Sequence, residues 1–184
     1  MSDALKKKYE QAGQLANFFD KNVPTDLYRR RNIGDKTPIM QPVLIGFGKP
    51  ESPREPDVYL TNEKGLSPQY EGTTMLREPG SKPLTRQIIE DATKYVVRGC
   101  RGPDTDFRGV STFDMKNPFA PPNVEWFYIP EGTEIPPGLA VTADGKKFPG
   151  KPRHYTIAPK DDMPLPLFLQ HLKGLAAMVK KAQD

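Results

Sequence analysis

The stretch Gly109–Asp114, GVSTFD, sets two hydroxyls side by side, Ser111 and Thr112, ahead of a ring, Phe113, and an acid, Asp114. In an extended chain side chains alternate, so Ser111 and Phe113 share one face and Thr112 takes the other. A second reactive group stands in RHYTIAP (Arg153–Pro159). There His154 and Thr156 face one way, and Tyr155 and Ile157 the other. A neutral imidazole takes up a proton, or a hydroxyl hydrogen bond, near pH 7. A third group, Arg29, ends the apolar strand start LYR (Leu27–Arg29). Taken singly, each has a plain structural reading: Arg29 a surface charge, Ser111 a solvated strand residue, His154 an exposed one. Together, a histidine base with arginines beside tyrosines suits in-line attack of a ribose hydroxyl on a phosphate, the chemistry of a small ribonuclease.

Other chemistries find little support. The chain has two histidines and one cysteine, too few soft ligands for a zinc cage, so no metal is expected. Cys100 excludes an internal disulfide and fits a reducing, cytoplasmic setting. It reads as a small buried hydrophobe, with a nucleophilic thiol as the alternative. There is no Gly-x-Ser-x-Gly elbow, no phosphate-binding P-loop and no dinucleotide Gly-x-Gly-x-x-Gly. No apolar run reaches the roughly 18 residues of a membrane span. MSDALKKKYE lacks the apolar segment of a secretory signal, so export, if it occurs, uses no cleaved leader. A net charge of +4 favours anionic ligands or polyanions.

These residues need elements to hold them. The 184 residues suffice for one sizeable core, and 21 prolines favour short strands and long connections over a helical bundle. Leu5, Tyr9, Ala12, Ala16 and Phe19 predict a helix over 4–20, stopped by Pro24. Strands are expected at Leu27–Tyr28, Val43–Phe47 and Asp57–Thr61. Leu84, Ile88, Ala92, Tyr95 and Val96 predict a helix over 84–97. Three strands then follow: EWFYI before the turn at Glu131–Gly132, LAVTAD before a turn at Asp144–Gly145, and RHYTIAP. Leu165, Phe168, Leu169, Leu172, Leu175, Ala176 and Val179 form the apolar stripe of a closing helix, with Lys173, Lys180 and Lys181 in water. The order predicts an α+β domain with a mixed or antiparallel sheet.

A strand with arginine, a helix, a strand opening on Ser-Thr-aromatic and an aromatic strand ending in IPEGT together resemble the ADP-ribosyltransferase toxins. GVSTFD, FYIPEGTEIPPGLAV and HYTIAPKDDMP, with the helix behind them, look closely similar to small cytotoxic effectors of bacterial type VI secretion within that superfamily, and LYR fits the same family. The likeness runs from about Leu27 to the C-terminus. It implies a split mixed or antiparallel β-sandwich around an NAD cleft, with flanking helices and the C-terminal helix. Residues 1–24 would be an N-terminal helical extension and 25–184 the toxin domain.

NAD would be the substrate, and Arg29, Ser111 and His154 the catalytic set. Arg29 would offer a bidentate fork to the phosphates or the nicotinamide ribose. Ser111 would hydrogen-bond the ribose or the cleft walls. Phe113, Tyr28 and Tyr155 are candidates to stack on the nicotinamide, each with core packing as the alternative. The family threonine before the serine falls on Val110, so Thr112 is left to supply the second hydroxyl. Most of the superfamily uses a glutamate where His154 stands, and Glu125, one position out of register, is a weak candidate for the missing charge. Transfer of ADP-ribose, hydrolysis of NAD and binding without turnover all stay open. The acceptor of ADP-ribose is unidentified, and an acidic immunity protein covering the cleft is the implied partner. The competing readings are the ribonuclease and a non-catalytic interaction protein that docks through its proline-rich loops.

Overall fold

The computed structural model describes residues 15–36, 38–40, 45–47, 58–61, 96–97, 99–100, 109–144 and 147–183. In chain order its strands are β1 (Leu15–Phe19), β2 (Leu27–Asn32), β3 (Ile45–Phe47), β4 (Val58–Thr61), β5 (Val96–Val97) and β6 (Val110–Phe113). After them come β7 (Val124–Ile129), β8 (Leu139–Asp144), β9 (His154–Pro159), β10 (Met163–Pro164), helix α1 (Leu165–Ala176) and β11 (Lys180–Lys181). Seven strands form one sheet in the order β1-β8-β9-β6-β2-β7-β11, and four form a second, β10-β5-β4-β3. Pairing is antiparallel throughout except between β3 and β4. This is the mixed, mostly antiparallel sheet that the sequence predicts.

Alternation decides which side of the large sheet is dry. Leu27, Val110, Ile129, Val141, Ala143, Tyr155 and Ile157 belong to one buried cluster. α1 joins that cluster through Leu165, Phe168, Leu172 and Leu175, all within 2% of full burial. Each such side chain contributes roughly 1.5–3 kcal/mol against leaving it in water, so the stripe read from the sequence docks the helix. The helix stops at Ala176, and Lys180–Lys181 pairs with Tyr128 and Phe127 as a sheet edge. The turn at Glu131–Gly132 is present, with Gly132 at φ 79, a left-handed angle that costs glycine nothing.

Two helix expectations are corrected. Leu15–Phe19 is not helical: it is a strand whose register runs from Leu15↔Asp144 to Phe19↔Val141. Helical spacing over 4–20 gives way there to cross-strand pairing, which a Phe-Phe pair favours and local propensity is too weak to resist. The expected helical extension therefore ends in a strand of the main sheet, while residues 1–14 lie outside the described residues. Val96 and Val97, at the end of the predicted helix 84–97, likewise form β5, as β-branched neighbours prefer; residues 84–95 lie outside the described residues.

The large sheet has one irregularity at its centre. β2 pairs with β7 at six consecutive positions, from Leu27↔Ile129 to Asn32↔Val124. Against β6 it pairs only at Tyr28↔Phe113. Beyond Tyr28 the two central strands part, and the sheet opens between Arg29–Arg31 and Val110–Thr112.

Candidate active site

Register fixes which side chains meet beside this opening. Tyr28 lies opposite Phe113, Phe113 opposite His154, and Ser111 opposite Thr156. Thr142 lies opposite Thr156 across β8 and β9. By alternation Tyr28, Ser111, Phe113, Thr142, Asp144, His154 and Thr156 all rise from the face turned away from the Leu27–Ile157 core.

On that face a chain of polar contacts forms. Ser111 Oγ lies 2.6 Å from His154 Nε2. His154 Nδ1 lies 2.5 Å from Asp144 Oδ2, which also accepts the Thr156 hydroxyl proton at 2.7 Å. The His154 and Asp144 side chains are 38% and 26% exposed, so the imidazole stands at the solvent boundary. Phe113 meets the His154 ring edge-on, with centroids 5.3 Å apart, which limits the ring's freedom. Tyr28 stacks on Tyr128 at 5.5 Å, and burial, with Asp26 and Tyr128 nearby, raises the Tyr28 phenol above its ordinary range. The result is a hydroxyl, a base and a carboxylate in sequence, bordered by three rings.

The structure brings Ser111, His154, Phe113 and Tyr28 to one face, but it distributes the other candidate residues differently. Arg29 alternates to the core side of β2. Its Nε donates to Ile39 O at 2.6 Å and its Nη1 to Ser111 O at 2.8 Å. The guanidinium thus spans the gap between the parting strands and holds Ser111 by its main chain; it meets Ser111 at the carbonyl and not at the hydroxyl. Arg30, exposed and on the Tyr28 side, is a cation that alternation puts on the site face. Thr112 is fully buried and donates to Tyr155 O at 3.2 Å, so it does not supply a second hydroxyl to this face. Tyr155, named as a stacking partner, belongs to the core cluster on the opposite face from His154, 7% exposed, with the Arg153 guanidinium 5.8 Å from its ring centre. Cys100 is buried, its Sγ 3.8 Å from Lys160 O.

Glu125 also points away. It pairs in register with Arg31, on the Leu27 side, and its carboxylate receives Arg31 Nε at 2.7 Å and Lys181 Nζ at 3.1 Å. The Arg31 hydrogen bond, then that of Lys181, lowers its pKa below the usual carboxylate range. A depressed folded-state pKa stabilises the fold above the ordinary carboxylate value of about 4.3, and the gain is lost as pH falls through the lower folded value. Glu125→Gln is therefore expected to melt slightly below the wild type at neutral pH, with the gap closing on acidification below about pH 4. A gap that widened in acid would contradict the pairing.

The carboxylate beside His154 that sequence reasoning misses is Asp144, which the local pattern places only in a turn. Its signal is its position, two residues beyond Thr142 on an alternating strand, but the partner strand's register is needed to put it beside His154.

Over residues 9–183 the chain matches the model of a family described as Tse2 ADP-ribosyltransferase toxin. It is 33% identical over 107 residues to Toxin Tse2 of Pseudomonas aeruginosa, an alignment covering 57% of this chain. That alignment spans 66% of the relative, just under two thirds of its length.

Proposed function

The chain belongs to the Tse2 ADP-ribosyltransferase toxin family, and on that premise we propose that it cleaves the nicotinamide–ribose bond of NAD and passes ADP-ribose to a target in the cytoplasm of a competitor or host cell. The observation that carries this reading is the 2.6 Å contact between Ser111 Oγ and His154 Nε2. It lies on the face of the sheet opposite the apolar core, beside the point where β2 and β6 part.

The residues present fit such a substrate. Phe113, Tyr28 and Tyr128 offer planar surfaces to a nicotinamide or adenine ring. Arg30 offers a charge to the phosphates. Ser111 and His154 offer a hydroxyl and a basic nitrogen to the ribose. As nicotinamide leaves, positive charge grows on the ribose, and dipoles already aimed at it lower the barrier without reorganising. Arg29 acts indirectly, by keeping Ser111 where the strands separate. Delivery by a type VI secretion machine, and an acidic immunity protein that caps this face in the producing cell, complete the proposal. Co-purification with the product of an adjacent gene tests the partner.

Incubation with labelled NAD and, separately, with total RNA tests the activity. Nicotinamide release with intact RNA supports the reading; degraded RNA with intact NAD overturns it in favour of a nuclease. Ser111→Ala is expected to slow release by roughly 10²-fold or more, since it removes the hydroxyl in contact with His154 Nε2, with an unchanged melting temperature.

A further inference from the structure

Asp144 sits where neither the sequence motifs nor the family assignment calls for a functional carboxylate. Its Oδ2 is shared by two donors, His154 Nδ1 at 2.5 Å and Thr156 Oγ1 at 2.7 Å. β8 and β9 pair at five consecutive positions ending at Ala143↔Tyr155. The next step of that ladder sets Asp144 across from His154, so the contact is built into the sheet.

We propose that Asp144 is the positioning residue of a proton relay, Asp144–His154–Ser111, that deprotonates the hydroxyl nucleophile of the reaction. The inference rests on the NAD reading for its substrate and on the sheet alone for its geometry. An ionised Asp144 accepts only, so Nδ1 carries the proton and the neutral imidazole's lone pair lies on Nε2. Nε2 then accepts from Ser111 Oγ–H, which leaves the Oγ lone pairs to accept from an incoming hydroxyl. With water as nucleophile the step balances. The ribose C–N bond breaks and its electron pair goes to the nicotinamide ring nitrogen. A C–O bond forms to the water oxygen. The water proton passes to Ser111 Oγ as the Ser111 proton passes to Nε2, and Asp144 stabilises the imidazolium until it releases a proton to solvent. The products are nicotinamide, ADP-ribose and one proton. This arrangement answers how a histidine serves where a glutamate is usual: the negative charge is present one hydrogen bond away and acts through the ring.

The test is ¹⁵N–¹H NMR of the full chain with labelled histidine at mildly alkaline pH. The expected result for His154 is a protonated Nδ1 and a bare Nε2 in the wild type, with that signature lost in Asp144→Ala. In parallel, Asp144→Ala is expected to slow hydrolysis of NAD by roughly 10²-fold or more. Asp144→Asn, which keeps the shape but not the charge, is expected to lose rate while retaining the wild-type melting temperature. A wild-type His154 protonated on Nε2 overturns the relay whatever the variants do, and so does an Asp144→Ala protein with both signature and rate intact. If wild-type protein releases no nicotinamide, the NAD reading fails while the tautomer measurement still decides the geometry.

Discussion

His154→Ala is expected to lower nicotinamide release by roughly 10²–10⁴-fold, the usual worth of a positioned general base, without unfolding the protein. The imidazole is 38% exposed and lies outside the apolar cluster, so its removal opens no dry cavity. What is lost is contact between Ser111 and Asp144, which the ring alone connects. Solvent reaches both neighbours, so neither is left as an unpaired buried group, the condition that would make the loss expensive to the fold. A melting temperature within a few degrees of wild type, together with a collapsed rate, is the combined result expected. Glu125→Gln provides the contrast. Its carboxylate is on the other side of the sheet, bound to Arg31 and Lys181, so its rate should stay at the wild-type level. An active His154→Ala and a dead Glu125→Gln would place the chemistry on the opposite face and sink the assignment.

Alternation explains why these residues, and not others, are legible in the sequence. Within a single strand, period two is enough to sort side chains, and it puts Ser111 with Phe113 and His154 with Thr156. The closing helix is equally plain, because Leu165, Phe168, Leu172 and Leu175 repeat at helical spacing and nothing competes with that stripe. Relations between strands are opaque. In LYRRRN three arginines follow a tyrosine, and only the pairing Tyr28↔Phe113 reveals that Arg30, not Arg29, shares the site face. Asp144 is hidden for the same reason. The connection from β8 to β9 is long, so no short turn of known type fixes the register that brings Asp144 to His154. Leu15–Phe19 shows the opposite failure. A local pattern that reads as helix is overridden by a neighbour, β8, that lies far along the chain.

The second large effect falls on stability. Gly109→Ala is expected to cost about 3 kcal/mol or more, at the upper end for overpacking. A Cβ at this position would lie 2.0 Å from Ile157 O, 2.7 Å from Ile157 C and 3.0 Å from Thr156 Cγ2. Two of the three atoms are backbone, in a strand bonded on both sides, to β8 and to β6. No rotamer change relieves the clash, so β6 or β9 has to move. For a chain of this size the loss corresponds to a fall of roughly 6–12 °C in melting temperature. Gly174→Ala is the control with the opposite sign. Gly174 lies inside α1 with open space around it, and alanine there is expected to add about 0.5–1 kcal/mol by restricting the unfolded chain and favouring helix. The two glycines thus separate a requirement for room from a mere tolerance. Gly109→Ala also presses on Thr156, whose hydroxyl holds Asp144. Its rate per folded molecule should therefore fall as well, measured at a temperature where the variant is fully native. A variant that melts early but turns over normally would mean that the strand shifts away from the relay; one that melts normally would mean that β6 and β9 do not approach as closely as 2.0 Å implies.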